Sequence, residues 1–395
     1  MALSKALDMD DTRKLIHAQR TAVLAHLLAS QLSPQDSGII YYAALLHDIG
    51  GIGLFDHIVH HPSPAEQAAN PAIRVHPVVG AQIVDNIPGL EACVPIILKH
   101  HERYDGHGYP AGRDADHLPL SAQILRGADS FDLLLHHLSD LSASDAESLT
   151  KAFSLKAGKE VSPEIAGLVC QFIEDRDTFA QLIDGEAVQA RSTELNQGLP
   201  GIEIKPGTDI IGTLLGVFAQ VIDAKHAYTA GHSQRVSKYS VQLGLELELP
   251  HDEITRLKWA AMVHDLGKVC VPRSLLDGAT ALNQEEKEII RRHPLVTIEL
   301  LSGVTEISDL GYIGALHHER WDGTGYPYGL RGEDIPWLSR IICVADAFDA
   351  LTSDRAYHNA LGTQAALEQL GKSAGTQFDP QVFDAARQIL WSGIN

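Results

Sequence analysis

Cysteine is scarce: Cys93, Cys170, Cys270 and Cys343 are the four in 395 residues, and none stands in a CxxC spacing. That excludes a zinc ribbon, a dithiol redox motif and a secreted disulfide framework, and leaves all four as expected reduced core residues. Positive charge is short too, with 31 Lys and Arg against 51 Asp and Glu and a formal net charge of -20. Phosphate backbones are held by clustered Lys and Arg, so no nucleic-acid polymer is expected as a partner, and a small anionic ligand would need local cations. Long apolar runs are missing. The longest, Gly38 to Phe55, carries His47 and Asp48 in its middle, and no basic, apolar, small-residue leader opens the chain. The expectation is a cytoplasmic protein without membrane attachment. Aromatics are only 6% and strand-like alternation is rare, whereas hydrophobic residues reach 45%, a balance that suits an Ala/Leu-rich, all-α protein. What the chain does have is histidine, 21 of them, and imidazole is the commonest metal ligand near neutral pH.

Those histidines fall in a repeat. Lys99 to Pro110 (KHHERYDGHGYP) returns as Leu316 to Pro327 (LHHERWDGTGYP), 217 residues later. The same offset carries His47-Asp48 onto His264-Asp265, His76-Pro77 onto His293-Pro294, Pro119 onto Pro336 and Asp129 onto Asp346. Upstream the offset is 215, taking His17-Ala-Gln-Arg20 onto His232-Ser-Gln-Arg235. One register over so many landmarks is a tandem duplication. The Gly- and Pro-rich stretch 197–207 reads as a linker, giving expected domains at 1–196 and 208–395. At 395 residues, two domains of ordinary size are also what chain length favours. Helical spacing or composition is read at Leu214 to Ala224, His232 to Leu247, Asp252 to Leu266, Gln284 to Arg292 and Gln364 to Leu370.

In the second copy His232, His264, Asp265, His293, His317, His318 and Asp346 make a set of five imidazoles and two carboxylates. Nitrogen and carboxylate oxygen without thiolate suits divalent iron, manganese, nickel or zinc, and the set is too large for one tetrahedral ion. Two ions fit it better. Neighbours on a helix point about 100° apart, so His264 and Asp265 can serve adjacent ions with Asp265 as the bridge, and His317-His318 permits the same split. Two such ions polarise a phosphoryl oxygen, acidify a water and stabilise the leaving alkoxide in an in-line displacement. Lys268, one helical turn after His264, is placed to hold a phosphate oxygen, with Arg355 as a second clamp. In Asp322-Gly-Thr-Gly325-Tyr326-Pro327 the glycines offer positive-φ freedom and Pro327 restricts Tyr326 to extended geometry, making Gly325 and Tyr326 candidate walls of a base or phosphate pocket.

HD-x-G-K, a later His-Pro, HHExxDGxGYP and ADAFDALTSDRAY in this order resemble the HD-GYP family, over essentially Thr208 to Asn395. The resemblance implies an all-helical HD-superfamily domain that hydrolyses cyclic di-GMP to linear pGpG, and sometimes on to GMP, with iron or manganese; some relatives prefer cyclic GMP-AMP. Relatives with three metals carry Glu four residues before the first ligand histidine. Tyr228 stands there in this chain, which favours two ions. His358 stands where the family often has a second basic residue after the Arg of SDRxY, and 276–282 lacks the usual Lys-Pro-Gly turn.

The first copy repeats the ligand set as His17, His47, Asp48, His76, His100, His101 and Asp129, so a second metal site is expected. Its substrate cations are gone. Gly51 replaces the Lys of HDLGK, and Ser130 to His136 has no counterpart of Thr352-Ser-Asp-Arg355. Two lost charge-assisted contacts, each worth about 1.5 to 3 kcal/mol, weaken binding by orders of magnitude. A metal-bearing, catalytically weak copy is therefore expected, next to an active second copy. The alternatives are a cyclic dinucleotide receptor or adaptor without turnover, and an HD phosphohydrolase acting on mononucleotides or alarmones; signalling partners or a homodimer stay open. Glu102 and Glu319 read as capping or ligand-orienting groups rather than general acids. His57, His60, His61, His136, His137, His226 and His251 read as ordinary surface or core residues.

Overall fold

The computed structural model describes residues 16–52, 69–136, 145–200, 204, 206–225, 231–276, 282–354 and 360–391. It is helical, and among the described residues no strand forms. Isolated bridges at Ala157 to Val161 and Ala374 to Phe378 lie at the same register of the two copies. Among the described residues no helix is long and apolar enough to cross a membrane.

The chain divides into two compact units, the first ending at Ile210 and the second starting at Ile211. In the first, the helices are α1 (His17–Leu32), α2 (Ser37–Leu46), α3 (Pro71–Asp85), α4 (Val94–Leu98), α5 (Leu120–His136), α6 (Ala146–Ser154), α7 (Pro163–Glu174), α8 (Arg176–Ile183) and α9 (Gly185–Gly198). In the second they are α10 (Ile210–Lys225), α11 (His232–Glu246), α12 (His251–Val263), α13 (Arg273–Leu276), α14 (Gln284–Arg291), α15 (His293–Ser302), α16 (Ser308–Ala315), α17 (Trp337–Thr352), α18 (Thr363–Gly371) and α19 (Pro380–Trp391). Helix α9 continues to Gly198, two residues into the stretch read as linker, and Asp184 begins it by accepting the N–H groups of Glu186 and Ala187. Helix α14 starts on a capping box between Asn283 and Glu286.

Each unit is built around one central helix, nearly all apolar in the first and buried along one face in the second. In α2, Ile40, Tyr41, Ala43, Ala44, Leu45 and Leu46 are all buried, and α1 and α5 pack near it. In α12, Leu257, Ala260, Ala261 and Val263 are buried against α11 and α16. Small residues let these helices close up: a Cβ on Gly314 of α16 would meet the carbonyl oxygen of Ala260 at 2.8 Å. Burial of helix faces on this scale, at about 25 cal/mol per Å² of apolar surface, is the main term that holds each bundle together.

Both central helices stop just before the His-Asp pair. α2 ends at Leu46 and α12 at Val263, after which Ile49–Gly51 and Leu266–Cys270 are 3-10 turns. The helix read through Leu266 is therefore shorter than expected, and the reason is a close backbone approach. A Cβ on Gly50 would sit 2.2 Å from the carbonyl oxygen of His76, and on Gly267 1.9 Å from that of His293. Only glycine permits the turn after the pair to lie on the start of the His-Pro helix. That packing brings Asp48 beside His76 and Asp265 beside His293.

Candidate metal centres

In the second unit the seven expected residues converge. His232 Nε2 lies 3.7 Å from Asp265 Oδ2 and 3.4 Å from Asp346 Oδ1, and His264 Nε2 lies 3.4 Å from the same Asp265 Oδ2. On the other side, His293 Nε2 and His317 Nε2 lie 3.4 and 3.7 Å from Asp265 Oδ1. The donors thus form two groups, His232–His264–Asp346 and Asp265–His293–His317–His318, and each oxygen of Asp265 faces one of them. Its position comes from the turn: Asp265 has φ -99° and ψ 8°, outside helical geometry, so the helix-based splitting angle does not apply.

The imidazoles are oriented from behind. Nδ1 of His264, His293 and His317 each donates to the carbonyl oxygen three residues earlier, Ala261, Ile290 and Gly314, at 2.7 Å. That fixes the tautomer and turns Nε2 to the centre. Nε2 of all three, and Asp265 Oδ1, are buried without a hydrogen-bond partner. Buried polar atoms left unsatisfied are costly, and a divalent ion bound by these atoms satisfies them at once. The residues present therefore fit a divalent metal site.

Charge follows the same geometry. Burial works against ionisation of Asp265, but Lys268 and His264 outweigh it and hold its carboxyl well below the usual range. Burial, with His264 alongside, lowers His317 to about 3, and burial with Lys268 lowers His293 to about 4, which favours the neutral imidazole in both. Burial opposes the charge on His232, but Asp265, Asp349 and Asp346 raise it to about 9. An arriving ion must displace that proton.

Asp349 was not singled out from the sequence. His232 Nδ1 donates to its Oδ2 at 2.8 Å, and Arg235 Nε donates to Oδ1 at 2.6 Å. In the first unit Asp132 receives His17 Nδ1 and Arg20 in the same way. The signal was available as the repeated His-x-x-Arg and the Asp three residues after Asp129 and Asp346. We expect Asp349→Ala to weaken manganese binding by about 10- to 100-fold, read by calorimetric titration of the metal-free protein.

The Tyr-Pro loop packs on the donors. The ring of Tyr326 stacks on His318 with centroids 4.7 Å apart, and Arg291 lies over the Tyr326 ring at 5.3 Å. Positive φ occurs at Gly323, at 80°, and not at Gly325. Gly325 is needed for space instead, because a Cβ there would lie 2.4 Å from the backbone nitrogen of Arg320. The Tyr326-Pro327 peptide is cis, as is Tyr109-Pro110. Glu319 accepts the N–H groups of Tyr328 and Leu330, and Glu102 those of Ala111 and Arg113, so both carboxylates hold this loop. Lys268 sits in the 3-10 turn and its Nζ pairs with Asp265 Oδ2 at 2.5 Å. Arg355, Tyr228, His358 and residues 277–281 lie outside the described residues.

The first unit gathers its own set: Asp48, His76, His100 and His101 form one group, and His17, His47 and Asp48 another. Nδ1 of His47, His76 and His100 is held by the carbonyl oxygens of Ala44, Ile73 and Ile97. This centre is sealed. The Asp129 side chain is 3% exposed, against 22% for both Asp346 and Lys268 in the second unit. Gly51 leaves no cation where Lys268 stands.

The sequence matches the HD domain family over residues 2–158 and 216–382, one stretch per copy. It is 29% identical over 316 residues to the 3'3'-cGAMP-specific phosphodiesterase 3 of Vibrio cholerae serotype O1, covering 79% of this chain and 66% of that protein. It is 28% identical over 401 residues to the 3'3'-cGAMP-specific phosphodiesterase 1 of the same organism, covering 97% of this chain and 89% of that protein. With the cyclic di-GMP phosphodiesterase response regulator RpfG of Xanthomonas campestris pv. campestris it shares 40% over 173 residues, 43% of this chain and 46% of that protein. The chain therefore spans just under two thirds of the first relative and less than half of the last. Among solved structures, the cyclic GMP-AMP-specific phosphodiesterase V-cGAP3 of V. cholerae superposes with a TM-score of 0.67 at 23% identity, over 100% of this chain and 97% of that one. At that identity the likeness establishes the fold.

Proposed function

The chain belongs to the HD domain family, with the HD-GYP motif set in its second copy, and from that premise we propose that it is a metal-dependent phosphodiesterase opening a cyclic dinucleotide. The observation that carries this reading is the second centre: two donor groups share Asp265, with Asp346 and Lys268 partly open to solvent beside them. His232, His264 and Asp346 would hold one ion and His293, His317 and His318 the other, with iron or manganese the best match to nitrogen and oxygen donors. When bound, such ions supply Lewis acidity toward a phosphoryl oxygen and acidify water.

The protein's own groups do the rest. Lys268, paired with Asp265, would turn its ammonium to a phosphate oxygen where bound cations neutralise that carboxylate. Tyr326, fixed against His318, makes an aromatic wall beside the donors. Arg291, over the same ring, adds positive charge at that wall.

Cyclic di-GMP was the leading expectation from the sequence, with 3'3'-cyclic GMP-AMP as the alternative. The relatives reverse that order. The two that match over 79% and 97% of this chain are named for cGAMP, whereas RpfG, named for cyclic di-GMP, matches over 43%. We take 3'3'-cGAMP as the preferred substrate and a linear dinucleotide as the first product. The test is protein loaded with manganese or ferrous iron under reducing conditions, given each dinucleotide separately and followed by ion-exchange chromatography. Linear product with a higher kcat/KM for cGAMP is expected. A cyclic di-GMP preference would restore the first order, and binding without product under either metal would make the protein a receptor.

A further inference from the structure

The first centre contains a cation of its own. Arg126 of α5 is buried, and its Nη1 donates to His101 Nδ1 at 2.9 Å and lies 3.3 Å from Asp129 Oδ2. Its Nη2 donates to Glu160 Oε2 at 3.2 Å, and Glu160 in turn accepts from Lys156 Nζ at 2.9 Å. At the 217-residue offset these three positions are Cys343, Gln377 and Ser373. The whole charged network is confined to the first copy.

Its consequence for His101 follows from donor chemistry. A guanidinium only donates, so Nδ1 of His101 must present its lone pair to Arg126. In the neutral ring the proton then sits on Nε2, the nitrogen that is buried and without a partner on the side of Asp48, His76 and His100. The other two imidazoles of that group, His76 and His100, donate through Nδ1 to a carbonyl and turn their Nε2 atoms toward each other, 3.1 Å apart. The carboxylate of Asp129 is also drawn toward Arg126, while Asp129 Oδ1 remains 3.9 and 3.8 Å from His17 and His47 Nε2.

We propose that Arg126 stands in for one of the two metal ions in the first copy, withdrawing His101 from the ligand set so that this copy keeps a single ion at His17, His47 and Asp48. The fixed guanidinium brings positive charge to Asp129 and Glu160, as a second ion would to Asp129. The first copy is then a one-ion centre by construction, distinct from the second. The ion count rests on the two-ion reading of the second copy, but the differences between variants do not.

Full-length protein is saturated with manganese, freed of loose metal by gel filtration, and its metal content per chain is read by mass spectrometry for wild type, His101→Ala, Arg126→Cys and the Arg126→Cys/His101→Ala double variant. The expected contents are three ions for wild type, three for His101→Ala, four for Arg126→Cys and three again for the double variant. Arg126→Gln, whose amide oxygen can accept from His101 Nδ1, should also gain one ion and serves if the cysteine variant fails to fold. Loss of one ion in His101→Ala alone would overturn the proposal. So would natively melting Arg126 variants that gain none. Failure of the two-ion second copy would instead shift all contents down together, leaving the differences intact.

Discussion

Asp265→Asn is expected to lower turnover of the cyclic dinucleotide by about 10³-fold, while Asp48→Asn leaves it within about twofold. In the second copy Asp265 turns its two oxygens to different donor groups. Neutralising it removes the shared anion from both ion positions, so the reaction loses Lewis-acid stabilisation on the order of 4 kcal/mol, and each 1.4 kcal/mol is tenfold. Asn keeps the volume, so a cavity does not confuse the result. Asp48 takes the same place in the first copy, where Gly51 supplies no phosphate cation and Asp129 is sealed from solvent. Independent sites add, which is the basis of the small expected effect. Single-turnover assays on both variants, with manganese content measured alongside, check the claim. Abolition of turnover by Asp48→Asn would place the chemistry in the wrong half.

The duplication made most of this legible. A histidine repeated at one register, beside a repeated turn, separates candidate ligands from the other histidines, and the folded chain brings each of the fourteen expected residues to one of the two clusters. The helical class followed from composition and spacing. What the sequence hid was backbone direction at the His-Asp pair: the apolar periodicity of α12 runs on through Leu266, yet the helix yields at His264 because Gly267 must touch the His293 backbone. Periodicity records which face is buried and is silent about where a close approach breaks the helix. Asp349 and Asp132 were missed for a different reason. They lie 117 and 115 residues from the histidines they orient, so the repeat marks both aspartates without showing which side chain each one meets. Arg126 carried no repeat signal at all, since its counterpart is Cys343.

Lys268→Ala should reduce kcat/KM by about 10- to 150-fold with metal content unchanged, the effect of one charge-assisted contact of about 1.5 to 3 kcal/mol. Lys268 Nζ pairs with Asp265 Oδ2 at 2.5 Å, and burial would otherwise oppose the charge on that carboxylate. Ions that take over Asp265 free the ammonium, whose stem leaves it 22% exposed at the open side of the centre. If the role were only to neutralise Asp265, Lys268→Ala would change metal affinity and leave kcat/KM of the saturated protein alone. If the role is to hold phosphate, affinity for the dinucleotide falls while manganese binding is kept, and Lys268→Arg recovers part of the loss because a cation is still present. Titration of manganese and of dinucleotide into the same variant separates the two, and a loss confined to the metal would remove Lys268 from the substrate site.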